Sequence, residues 1–109
     1  MRRAAKIDDN QREIVQTLVA MGCRVQSLAA VGGGVPDLLV GTPEGNWLIE
    51  VKDGSKPPSA RKKTPAQQQW HDLWPGPLDV IETVDEAIDW CRNVRRRSLY
   101  RKTQHLGGK

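Results

Sequence analysis

Two short apolar runs, DLLVG (37–41) and NWLIEVK (46–52), constrain the fold of this chain more than any other feature. Between them lies Thr42-Pro43-Glu44-Gly45, with Pro early and Gly late, the composition of a hairpin turn. The pair therefore predicts adjacent antiparallel strands. On the second strand, Trp47, Ile49 and Val51 share one face, and Leu48, Glu50 and Lys52 share the other. Asp37 opens the first strand directly after Pro36, a residue tolerated at a strand's first position. Two registers are open. A loop of residues 43–45 sets Asp37 opposite Val51, where a bulge would be needed to bring it beside Glu50; a loop of 42–45 sets it opposite Glu50.

The flanking segments supply helices and two more strands. Ile14, Val15, Leu18 and Val19 recur at helical spacing after Asp8, a candidate cap, and Gly22 suits a left-handed stop. CRVQSL (23–28) alternates as a short strand, and Gly32-Gly33-Gly34 interrupts regular structure. Residues 53–63 form a loop rich in Pro, Gly and Ser. Thr64-Pro65-Ala66-Gln67 has the capping-box pattern of a second helix, with Ala66, Trp70, Leu73 and Trp74 as its apolar stripe. LDVIE (78–82) is a fourth strand, and Thr83 to Glu86 repeats the capping pattern before a third helix that buries Val84, Ala87, Ile88 and Cys91. The order α-β-β-β-α-β-α, without internal repeats, predicts a single α/β domain: a mixed β-sheet flanked by helices. Phe is absent, and the four Trp fall in predicted strands or helices, which assigns them to core volume rather than to base stacking.

Composition matters here mainly through placement. The chain has 109 residues, enough for one core, and a formal net charge of +4. The first 91 residues carry 10 basic and 13 acidic groups, while those after Cys91 carry seven basic and none acidic. A mildly acidic body thus precedes a basic tail, here placed at 96–109. Two cysteines make no disulfide framework, and Cys23 and Cys91 read as small buried hydrophobes. With no apolar run of membrane-spanning length and no apolar stretch near the start, the expectation is a cytoplasmic protein without membrane contact.

Glu50 and Lys52 point the same way from one strand, and Asp37 arrives beside them if the hairpin closes in the favourable register. Converging carboxylates repel unless a cation lies between them, and hard oxygen ligands with open positions suit Mg²⁺ or Mn²⁺. A cation bound also to a phosphate polarises phosphorus and acidifies water, and Lys52 could orient that water or stabilise developing charge. The plainer reading stays open on spacing alone: a surface Glu-Lys pair on an amphipathic strand and an unrelated turn Asp. Lys56, Arg61, Lys62 and Lys63 lie just beyond the strand, placed to track a phosphate backbone, with Arg95, Arg96 and Arg97 in or beside the tail as further phosphate contacts.

Pro36-Asp37, twelve residues and Glu50-Val51-Lys52 resemble the PD-(D/E)XK nuclease signature. GGGVPDLLVG (32–41) through LIEVKDGSKPPSARKKTPAQ (48–67), with DDNQREIV in helix one, is similar to its VRR-NUC branch. The resemblance implies an αβββαβ restriction-endonuclease-like core with a C-terminal helix over residues 7–95. It further implies that Asp37, Glu50 and the Val51 carbonyl bind Mg²⁺ or Mn²⁺, and that Lys52 is the catalytic lysine. Gln67 would lie at the active site, although its capping-box role competes for the same side chain. Asn10 and Gln11 match the helix-one support of the site, whereas Glu13 points away. The implied activity is a metal-dependent DNA endonuclease, acting as a homodimer on branched, Holliday-junction-like DNA, associated with the nucleoid or viral DNA in repair or recombination. The rival is a non-catalytic DNA-binding or assembly module with the same fold.

Overall fold

The computed structural model describes residues 10–107, with side chains as far as Arg96. Its elements run α1 (Gln11–Ala20), β1 (Arg24–Ser27), β2 (Leu38–Thr42), β3 (Gly45–Val51), α2 (Pro65–Leu73), β4 (Leu78–Ile81) and α3 (Val84–Gly107), with a single 3-10 turn at Pro58–Ala60. The sheet order is β1-β2-β3-β4, antiparallel except for the parallel pair β3 and β4 joined through α2. This is the predicted mixed sheet, with β3 inside it.

The hairpin closes more tightly than either loop considered from sequence. Thr42 pairs with Gly45 around Pro43-Glu44, in the register that sets Leu38 opposite Ile49 and continues to Asp37 in line with Glu50. The cause is Thr42, whose Oγ1 accepts from the Glu44 and Gly45 N–H groups at 3.1 Å and donates to the Gly45 carbonyl at 3.0 Å. No bulge is needed.

One face of the sheet carries the core. Leu38, Val40, Ile49, Val51 and Ile81 pack with Ile14 and Leu18 of α1 and Ala87, Trp90, Cys91 and Val94 of α3. Trp47 meets Trp90 edge to face, 5.5 Å between ring centres, and the Trp90 indole N–H donates to Asp79 at 2.8 Å. Cys23 and Cys91 are free thiols 3.9 Å apart, and burial with the neighbouring Cys23 pushes the Cys91 thiol up to about 12. Val19 does not join this face but is exposed; Gln11 takes the inward position instead. Asn10, rather than Asp8, holds the cap position of α1, and Asp8 lies outside the described residues.

The expected stripe of α2 is not core either. Leu73 is 74% exposed and Trp74 42%, Ala66 is exposed, and Trp70 is half-buried and stacked on Trp74 at 4.9 Å. The reason is the layer on which α2 lies: it covers the polar side of β3, so Gln67 and His71 point inward and the apolar residues fall to the flank. Half the tryptophans therefore build the core and half do not. Helix α3 continues without a break across residue 96, where the basic tail was placed, and the Arg97 side chain lies outside those described. No helix among the described residues is long and apolar enough to cross a membrane.

Candidate functional site

The polar side of β3 gathers Asp37, Glu50, Lys52 and Gln67. Glu50 is 1% exposed, a carboxylate buried as deeply as the aliphatic core. Its Oε2 lies 3.4 Å from Lys52 Nζ and accepts from Gln67 Nε2 at 3.3 Å. Lys52 Nζ in turn donates to Gln67 Oε1 at 3.0 Å. Asp37 faces Glu50 and turns Oδ2 onto the Val51 N–H at 2.7 Å, a bond that fixes the start of β2 against the end of β3. Burial, then the Asp37 charge, push the Glu50 carboxyl up to about 7, against the opposing pull of Lys52.

Gln67 performs both duties that sequence reasoning set in competition. Thr64 Oγ1 accepts from the Gln67 N–H while Gln67 Oε1 accepts from the Thr64 N–H at 2.9 Å, a complete capping box. The same Oε1 receives Lys52, and Nε2 is left for Glu50. One oxygen has two lone pairs, so the conflict dissolves. The cap thereby fixes the rotamer that reaches the site. Gly34 sets the height of the helix above the strand: its φ is +87°, and a Cβ there would stand 2.4 Å from the Ala66 carbonyl. Of the glycine run, only Gly34 makes this close approach; a Cβ on Gly32 or Gly33 would meet open space.

His71, one turn beyond Gln67, is a site residue that sequence reasoning missed. Its side chain is 5% exposed, with Nε2 3.7 Å from Glu50 Oε1, and burial followed by the Lys63 and Lys52 charges lowers its pKa. Neither His71 nitrogen has a hydrogen-bond partner, and neither does Glu50 Oε1. Its only sequence signal was the i, i+4 spacing from Gln67.

Asn10 supports the site indirectly. Its Nδ2 donates to the Lys52 carbonyl at 2.9 Å and the Glu82 carbonyl at 2.8 Å, tying the start of α1 to the ends of β3 and β4. Gln11 is buried behind it at 5% exposure. Glu13 is exposed, as expected.

The cations are less uniform than their sequence suggests. Arg61 is paired with Glu82 at 2.8 Å, Lys56 lies 4.0 Å from Asp53, and Arg95 donates to the Met21 carbonyl between α1 and α3. Asp53, 9% exposed, accepts from Ser55 N–H and Oγ and so shapes the basic loop. Among the described residues Lys62, Lys63 and Arg96 form no salt bridge, and Lys63 is close enough to act electrostatically on His71. A hollow of about 530 Å³ just beyond Lys52, at the C-terminal ends of β3 and β4, is lined by Glu13, Asp53, Glu82 and Asp85, a charge that repels phosphate.

The donor set fits a hard divalent cation on one observation: a buried carboxylate oxygen without a partner, beside a second carboxylate. Among the described residues, no three His, Cys, Asp or Glu side chains are already gathered as a metal cluster.

The four-stranded mixed sheet with three helices is an α/β restriction-endonuclease-like fold. A solved VRR_NUC domain aligns with it at 27% sequence identity and a TM-score of 0.56, over 72% of this chain and 86% of that one. The fold is VRR-NUC-like. No family model matches the sequence, and no curated protein matches it.

Proposed function

We propose that this chain is a divalent-metal-dependent DNA endonuclease that hydrolyses phosphodiester bonds. The observation that carries the reading is Glu50: a carboxylate 1% exposed, beside Asp37, with its pKa pushed up to about 7 and one buried oxygen without a partner. Such a group is costly to keep unless it serves a cation.

Asp37, Glu50 and the Val51 carbonyl would hold Mg²⁺ or Mn²⁺. When bound, the ion supplies polarisation of the scissile phosphate and a lowered pKa for water. Lys52, fixed by Gln67 and Glu50, is the catalytic lysine; its ammonium orients the attacking water and stabilises negative charge developing on phosphorus oxygens. Gln67 is the positioning residue for both. Asn10 holds the strand end that presents Lys52, with Gln11 buried next to it in α1.

DNA approaches over the α2 side. Lys62 and Lys63, just before α2, form no salt bridge and are placed to meet phosphates beside the site; Lys56 can exchange its distant partner, whereas Arg61 and Arg95 already anchor the fold, and Arg96 and Arg97 follow Arg95 at the hairpin-turn end of the sheet. Because these contacts are to the backbone, binding weakens steeply with salt. Two copies are required to cut two strands symmetrically, and the exposed end of α2, Leu73 and Trp74, is the surface such a homodimer would cover. Branched DNA is the substrate class this symmetry favours, in repair or recombination at the nucleoid or on viral DNA.

The test is cleavage of a four-way junction, a flap and a linear duplex with Mg²⁺ or Mn²⁺. Preferential cutting of the junction is expected. Equal cutting of all three removes the branched-DNA reading. Absence of cutting together with absence of Mn²⁺ binding replaces the enzyme with a DNA-binding or assembly module.

A further inference from the structure

Helix α2 presents its residues 67 and 71 to the polar side of β3, because they lie one turn apart on one helical face. Gln67 is fully occupied there. His71 is not, although its side chain is 5% exposed and both ring nitrogens are without partners. The atom it faces, Glu50 Oε1 at 3.7 Å, is likewise buried without a partner. Two unsatisfied groups meeting in a buried place is a costly arrangement for any fold to keep.

The surroundings decide what could relieve it. Lys52 is already engaged with Glu50 Oε2 and Gln67 Oε1 and gives no hydrogen bond to either unsatisfied group. A neutral imidazole carries a lone pair on one ring nitrogen, and Glu50 offers another on its oxygen. An electron-pair acceptor shared by the two satisfies both. Imidazole suits Mn²⁺ and later transition ions, whereas Mg²⁺ prefers an all-oxygen shell.

We propose that His71 is a ligand of the active-site cation through a ring nitrogen, alongside Glu50 Oε1, so that the centre is a mixed carboxylate–imidazole site selective for Mn²⁺ over Mg²⁺. This rests on the nuclease reading above for the cation and its place. It adds a ligand from α2 to the strand residues Asp37, Glu50 and Val51. It also gives the Gly34 contact and the Thr64 cap a second purpose, since both set the position of the helix that carries the imidazole.

The experiment is Mn²⁺ electron-spin-echo spectroscopy on the full chain, read for ¹⁴N modulation from a coordinated imidazole, in the wild type, His71→Gln and His105→Gln. The wild type and His105→Gln are expected to show the modulation and His71→Gln to lose it. By calorimetry, His71→Gln should weaken Mn²⁺ binding by about tenfold or more while Mg²⁺ affinity changes by less than about threefold. Mn²⁺ bound without nitrogen modulation in the wild type, or with modulation kept in His71→Gln, overturns the assignment. The wild-type and His105→Gln spectra decide the matter even if His71→Gln does not fold. If Mn²⁺ binds without nitrogen modulation and the protein still cuts DNA, the nuclease reading stands without this ligand; if no Mn²⁺ binds at all, both fall.

Discussion

The two sides of β3 differ more than any other two regions of the molecule. Ile49 and Val51 are 0% and 1% exposed among aliphatic and aromatic neighbours of α1 and α3. Glu50, between them in sequence, is 1% exposed against Gln67, Lys52 and His71. Burial is equal, yet the chemistry is opposite. The apolar side is a solved packing problem, in which area removed from water stabilises the fold. On the polar side, atoms are desolvated and only partly satisfied, an arrangement that stability alone does not select.

That contrast predicts opposite responses to substitution. Ile49→Ala leaves a cavity in the core and should lower stability by about 2–5 kcal/mol, measured by urea denaturation. A loss below about 1 kcal/mol would mean that β3 is not the packed centre described. Glu50→Gln should do the reverse in metal-free buffer. With its pKa raised from 4.5 to about 7, native Glu50 binds more protons than the unfolded chain between those values, so wild-type stability falls as pH rises through that window. The Gln variant lacks this slope and should melt several degrees higher at pH 8, since each 1 kcal/mol corresponds to roughly 4–8 °C for a domain of this size. Identical pH slopes for the two proteins would show that Glu50 is not strained in the metal-free state.

The smallest effect belongs to the C-terminal residues, away from both sides of β3. Removing residues 96–109 should weaken DNA binding at moderate salt and flatten its salt dependence, while the metal affinity of the site is unchanged. Binding isotherms at several salt concentrations check this. Unchanged affinity would confine the phosphate contacts to Lys62, Lys63 and their neighbours.

What could be read from sequence follows the range of the interactions involved. The hairpin, the capping box of α2 and the alternation on β3 are local, and periodicity and turn chemistry expose them. The register depended on Thr42 using its hydroxyl three ways inside the turn, which composition does not reveal. The α2 stripe misled because helical spacing says that residues share a face but not which layer that face meets. Trp70 and Trp74 therefore looked like Trp47 and Trp90, although only the second pair is in the core. His71 was hidden for the same reason: a lone histidine on a helix acquires meaning only when a buried carboxylate oxygen stands across from it. Arg61 and Arg95 looked like phosphate contacts because Glu82 and the Met21 carbonyl are distant in sequence.

Plasmid nicking tests most directly whether the polar side of β3 is a metal-dependent cutting centre. Supercoiled plasmid is incubated with wild type, Asp37→Asn and Lys52→Ala, with Mn²⁺, with Mg²⁺ and with chelator. The expected result is nicking by the wild type with metal alone and a loss of roughly 10³-fold or more in both variants, each still folded by circular dichroism. Nicking by Lys52→Ala at the wild-type rate, or by the wild type in chelator, would contradict the account.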